Sequence, residues 1–128
     1  MESHGHDADS VTSTLIKLAE ECDTMKSLDE FDGYARVQGV CGDVLDVWIK
    51  TRNGTIEDAS CRVQGCIPSK ACMVSAIRLV KGKKIREVEE FSAREILLHL
   101  DLPEEAEHCA VLAVDALRAA LKSLTKEV

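Results

Sequence analysis

Residues 43–64 read DVLDVWIKTRNGTIEDASCRVQ, and this stretch decides the fold. Over 43–52, Leu45, Val47 and Ile49 alternate with Asp46, Trp48 and Lys50. That is the period of a strand with one buried face. Asn53-Gly54 follows, and both positions tolerate positive φ, which makes the pair the strongest short hairpin signal. Residues 55–64 form the returning strand. Ala59, Cys61 and Val63 share its apolar face; Asp58, Ser60, Arg62 and Gln64 share the other. Residues 34–38 supply a further short strand. Such a sheet, apolar on one side only, needs a helical layer over it.

The flanking sequence provides that layer. Leu15, Leu18, Cys22 and Met25 lie on one face of an amphipathic helix over 11–28. Before it, residues 1–10, MESHGHDADS, read as a flexible tail. After the hairpin, Pro68 suits the first turn of a helix over 68–81, which stops before Gly82. Residues 84–91 form a short helix. Ser92 with Glu95 makes a capping box for a helix over 93–100. Pro103, Glu104 and Glu105 then open a long last helix that runs to about Lys122. The expected fold is therefore α+β: a small antiparallel sheet of about three strands, covered by helices, with residues 29–128 as a single domain.

Length and charge narrow the function. The chain has 128 residues, with 16 Lys+Arg against 23 Asp+Glu and a net charge of −7. The acidic balance argues against sequence-independent nucleic-acid binding, which needs a basic footprint. No apolar run of about 18 residues is present, so no membrane span is expected. The N-terminus has neither the basic nor the apolar region of a signal peptide, and a cytoplasmic location is expected. Aromatic residues are scarce, so the core must rest on Val, Leu, Ile and Ala. Against this background stand six cysteines: Cys22, Cys41, Cys61, Cys66, Cys72 and Cys109. Without a secretory signal, reduced thiols serving a metal or chemistry are favoured over disulfides.

Position sorts these thiols. Cys22 and Cys61 fall on apolar faces and read as core. Cys41 and Asp43 are two apart in an extended segment, so their side chains point the same way. Cys66 follows the returning strand and precedes a helix N-terminus, whose partial positive charge favours thiolate. Cys41 lies 12 residues before Asn53 and Cys66 lies 12 after Gly54. A regular two-residue hairpin brings both to the same end of the sheet. His108 and Cys109 begin the last helix; adjacent on it, their side chains diverge by about 100° and do not form a nucleophile pair. Cys72, six residues after Cys66, is left open between site and core. Soft thiolates with an imidazole and a carboxylate suit zinc or an iron–sulfur centre.

Four segments carry a family resemblance. They are C-G-D-V at Cys41–Val44, G-C at Gly65–Cys66, V-K-G-K at Val80–Lys83, and H-C-A-V-L-A-V-D-A-L-R-A-A-L at His108–Leu121. Together, over residues 29–123, they resemble the U-type iron–sulfur cluster assembly scaffolds, IscU and the N-terminal domain of NifU. The resemblance implies a scaffold, not an enzyme, on which a labile [2Fe–2S] cluster is built and then handed to apo iron–sulfur proteins. A cysteine desulfurase of the IscS/NifS type would supply persulfide sulfur, and a donor such as ferredoxin the electrons. Cys41, Cys66 and Cys109 would be the thiolate ligands. Asp43 and His108 would be candidates for the fourth position or for control of release. Cys109 or Cys66 would accept persulfide. A homodimer is among the arrangements left open. The family's L-P-P-V-K segment is here L-P-E-E-A (Leu102–Ala106), a departure from the motif that a dedicated chaperone reads. Two alternatives stand beside the scaffold: a zinc-dependent sulfur-transfer protein of the SufU type, and a structural zinc module.

Overall fold

The computed structural model describes residues 2–39, 42–100 and 107–125. In chain order the elements are α1 (Glu2–Thr24), β1 (Gly33–Gln38), β2 (Val44–Arg52), β3 (Thr55–Gln64), α2 (Ile67–Val80), α3 (Ile85–Glu89), α4 (Ala93–Leu100) and α5 (Glu107–Thr125). The strands form an antiparallel meander in the order β1-β2-β3. Asn53 and Gly54 turn the hairpin with φ of 55° and 77°, both in the left-handed region their residue types allow.

One face of the sheet is dry. Leu45, Val47 and Ile49 of β2 join Ala59, Cys61 and Val63 of β3 in the core, as the alternation predicts. Helices α2 and α5 cover this face, α1 packs on α2 and β3, and α4 packs on α5 and α2. Where β1 meets α5 the approach is close: a Cβ at Gly33 would lie 2.6 Å from the Ala120 carbonyl oxygen. Only glycine permits that contact.

The hairpin departs from the regular register. Near the turn, Arg52 pairs with Thr55 and Thr51 with Ile56; from Lys50 onward the partners shift by one, to Lys50–Asp58 and Val44–Gln64. This β-bulge adds one residue to β3. It also explains why Ile56 and Ala59, three apart, are both buried. The regular count, by which Cys41 and Cys66 come to the same end of the sheet, is therefore one residue out beyond Thr51. Continued past Val44–Gln64, the register sets Asp43 opposite Gly65.

The hairpin tip is clasped by the α2–α3 connection. Gly82 N–H donates to the Ile56 carbonyl at 2.8 Å, Ile56 N–H to Lys83 at 2.9 Å, and Ile85 N–H to Gly54 at 2.9 Å. Gly82 makes the turn with φ of 86°.

Two boundaries differ from expectation. The helix expected over 11–28 spans Glu2–Thr24, so it takes in the segment read as a tail. No proline interrupts residues 2–10, and extending a helix already nucleated is far less costly than starting one. The last helix is described from Glu107, and the expected start at Pro103 lies outside the described residues. Among the described residues no helix is long and apolar enough to cross a membrane.

The outer face of the sheet holds a buried charge. Asp46 is 3% exposed, although it alternates with the core residues of β2. Arg36, its partner across the β1–β2 ladder, donates from Nε at 2.8 Å and from Nη2 at 3.2 Å. The Tyr34 hydroxyl donates to the same carboxylate, and its ring packs against Trp48 at 5.3 Å between centroids. Burial pushes the Asp46 carboxyl up, but the Arg36 and Tyr34 hydrogen bonds outweigh it and hold the group below its ordinary value.

Candidate functional site

The site lies at the end of the hairpin opposite the tip. It is built from the β1–β2 turn, the start of α2 and the start of α5. In the turn, Gly39 N–H donates to the Asp43 carbonyl at 2.8 Å and Gly42 N–H to the Gly39 carbonyl at 3.0 Å. Gly42 has φ of 95°, a conformation costly for any residue with a Cβ. Cys41 belongs to this turn in sequence but lies outside the described residues.

Asp43 points inward and is 8% exposed. The space for its carboxylate comes from Gly65, since a Cβ there would lie 2.5 Å from the Asp43 Cγ. Cys66 is the N-cap residue of α2, in extended conformation with φ −78° and ψ 165°. Its thiol is exposed and sits 3.6 Å from Asp43 Oδ2. Cys109, in the first turn of α5, is 2% exposed. Burial is the main reason its thiol is pushed up from the ordinary value, and a hydrogen bond with Ser69 opposes the shift.

At the centre is a residue that the cysteine spacing did not single out. Ser69 is 1% exposed. Its hydroxyl donates to Asp43 Oδ2 at 2.5 Å and lies 3.3 Å from Cys66 Sγ and 3.4 Å from Cys109 Sγ. The signal was present in the spacing: Cys66 and Ser69 are three apart across the helix start, so they share a face.

His108 and Cys109 do meet, contrary to the helical-wheel argument. His108 Nε2 lies 3.5 Å from Cys109 Sγ. The 100° separation applies to the Cα–Cβ directions, and the long imidazole reaches back across it. His108 also borders an open groove of about 490 Å³, with Val37, Gly39, Val111 and Leu112. The structure thus brings together Asp43, Cys66 and Cys109 around Ser69, with His108 beside Cys109.

The remaining thiols are core. Cys72 is fully buried, and burial pushes its thiol up to about 12. Cys22 and Cys61 are buried and act on each other: their interaction holds the Cys22 thiol below its ordinary value and pushes Cys61 up. Cys61 Sγ also lies 3.6 Å from Met25 Sδ.

The donor types are soft sulfur with one carboxylate and one imidazole, a set suited to zinc or iron–sulfur species. Among the described residues no three such side chains stand in position to hold a metal ion together. Cys41 lies outside those residues, and the Ser69 hydroxyl lies within hydrogen-bonding distance of Asp43, Cys66 and Cys109.

Comparison with known proteins gives the family and the fold. The profile of the NifU-like N terminal domain family matches residues 20–128. An iron-sulfur cluster assembly scaffold protein IscU of Buchnera aphidicola subsp. Baizongia pistaciae is 39% identical over 100 residues, covering 77% of this chain and 79% of that one. An iron-sulfur cluster assembly protein IscU of Plasmodium falciparum is 38% identical over 88 residues, covering 69% of this chain but only 54% of that protein. A NifU-like N-terminal protein of Brucella abortus superposes with a TM-score of 0.70 at 20% identity, covering 90% of this chain and 94% of that one. A scaffold protein for the SUF system from Fervidobacterium islandicum superposes at 0.71 with 15% identity, covering 84% and 93%. At these identities the two structures speak for the fold alone: a three-stranded antiparallel sheet under helices. With the family profile spanning most of its length, this chain belongs to the NifU-like N-terminal domain family.

Proposed function

We propose that the protein is a scaffold on which a labile [2Fe–2S] cluster is assembled and from which it is passed to apo-proteins. The observation that carries this reading is the convergence of Asp43, Cys66, His108 and Cys109 at one end of the sheet, in a chain of this family. Iron and sulfide are the cargo, and the protein's part is to supply ligands and then relinquish them. Cys66 and Cys109, with Cys41 from the adjoining turn, are the thiolate ligands. Asp43 or His108 takes the fourth position.

The donor chemistry supports a carrier rather than a permanent cofactor site. Durable clusters are commonly held by four thiolates. A harder oxygen or nitrogen donor in place of the fourth leaves one weaker edge from which release can begin. Cys66 is the exposed thiol of the described set, so it is open to persulfide delivery by a desulfurase; Cys109 is the other acceptor candidate. Exposed Ile67 beside Cys66 and exposed Val111 one turn beyond His108 give a docking partner apolar surface around the thiols. Ferredoxin-type electron supply, cytoplasmic location and a homodimeric state belong to the same proposal.

The test is anaerobic purification, followed by measurement of iron, zinc and acid-labile sulfide together with the visible spectrum. Matching iron and sulfide after reconstitution is the expected result. Stoichiometric zinc, with no cluster formed on reconstitution, would refute the scaffold in favour of zinc-dependent sulfur transfer. Unfolding on chelation would instead indicate a structural zinc module.

A further inference from the structure

We propose that Ser69 is a built-in competitor for the cargo: its hydroxyl holds the ligand carboxylate and thiols, and so sets how readily the site lets go. The inference rests on the reading of this site as a cluster-assembly centre.

The geometry carries it. A hydroxyl has one proton to donate and two lone pairs to accept with. Asp43 Oδ2 at 2.5 Å takes the proton, being much closer than either sulfur. Cys66 Sγ at 3.3 Å donates to a lone pair of the hydroxyl, and Cys109 Sγ at 3.4 Å is the alternative acceptor for its single proton. Each of the three groups hydrogen-bonded to this oxygen is therefore one that would bind iron. With Ser69 nearly fully buried and Gly65 leaving no slack behind Asp43, the oxygen and a metal ion compete for one position.

Taking up metal then requires Ser69 to leave. Rotation about χ1 to another staggered position moves the oxygen away while α2 stays in place. Each Cys–S–metal bond forms with loss of the thiol proton to solvent, and the Asp43–Ser69 bond breaks. Giving up the cargo reverses these events, and the restored hydrogen bonds favour discharge. Ser69 acts through the ligands and is a positioning residue, not itself a ligand.

The experiment compares the full chain with its Ser69→Ala and Ser69→Thr variants. Each is titrated anaerobically with Co²⁺ against a competing chelator. Each is also reconstituted with ferrous iron and sulfide, and the lifetime of the chromophore is followed. Ser69→Ala is expected to hold Co²⁺ on the order of tenfold to a hundredfold more tightly, the scale of one hydrogen bond to a carboxylate no longer broken. Its chromophore should outlast that of the wild type, and Ser69→Thr, which keeps the hydroxyl, should follow the wild type. Equal or weaker retention by Ser69→Ala, with an unchanged circular dichroism spectrum, overturns the role. A structure of the Co²⁺-bound wild type gives an independent answer if a variant misfolds: Ser69 Oγ still on Asp43, or on the metal, also overturns it. Should the wild type bind neither Co²⁺ nor iron with sulfide, the cluster-assembly reading fails first and the role of Ser69 falls with it.

Discussion

Gly65→Ala is a small change with a large expected effect. The added Cβ would sit 2.5 Å from Asp43 Cγ, 2.7 Å from Oδ1 and 2.9 Å from Oδ2, where ordinary contacts begin near 3.4 Å. The carboxylate must therefore move by about 0.9 Å, the difference between those two distances. Overpacking of this kind costs about 1–3 kcal/mol. The displacement also breaks the charge-assisted bond from Ser69, worth about 1.5–3 kcal/mol. The two terms overlap, so a loss of about 2–4 kcal/mol is expected, a large share of the stability of a small domain. Urea unfolding followed by circular dichroism measures it. The decisive comparison is a double-mutant cycle with Asp43→Ala. With the carboxylate gone the new methyl group has nothing to strike, so most of the cost should vanish. A cost that is the same in both backgrounds would refute the clash as its cause, and with it the claim that Gly65 is what makes room for Asp43.

Three further outcomes follow from the same coordinates. Ser75 is 1% exposed and its hydroxyl has no partner among the described residues, so Ser75→Ala should raise the melting temperature, by about 0.5–1 kcal/mol of added stability. The Asp46 carboxyl is held below its ordinary value in the folded protein, so its contribution is present above the unfolded value and is lost as pH falls through the folded one. Asp46→Asn should therefore cost about 1–3 kcal/mol at pH 7, and the gap from wild type in denaturant titrations should close as pH falls below about 4. Cys72 is fully buried with its thiol pushed up to about 12, whereas Cys66 is exposed. Iodoacetamide at pH 8 should label Cys66 and spare Cys72 in the native protein, as peptide mass spectrometry would report; rapid labelling of Cys72 would contradict its burial.

Much of this architecture was legible in the residues. Alternation in 43–52 and the Asn53-Gly54 pair specify the hairpin because side-chain parity and positive φ are local properties. The bulge was legible too, since Ile56 and Ala59 break parity. A regular count overlooks it, because one extra residue leaves both ends looking apolar. Setting Asp43 and Cys66 at one end of the sheet needed only the hairpin, whereas joining His108 and Cys109 to them rested on the family resemblance, because nothing local to the sequence says where α5 docks. The central place of Ser69 was hidden, because it depends on how α2 docks over Asp43. The buried Asp46 was hidden for a similar reason: its partners Tyr34 and Arg36 are assigned only once the β1–β2 register is known.

The clasp around the hairpin tip has a consequence for motion. Residues 54–56 and 82–85 are joined by main-chain bonds of 2.8–2.9 Å between separate elements, while at the opposite end the bonds from Gly39 to Asp43 and from Gly42 to Gly39 stay within the β1–β2 turn and the tie to α2 includes the Asp43 and Ser69 side chains. Local opening favours the parts with the fewest buried backbone bonds. The hairpin is therefore expected to open first at the thiol end and last at its tip, an order that amide hydrogen exchange at Val44 and Ile56 would read.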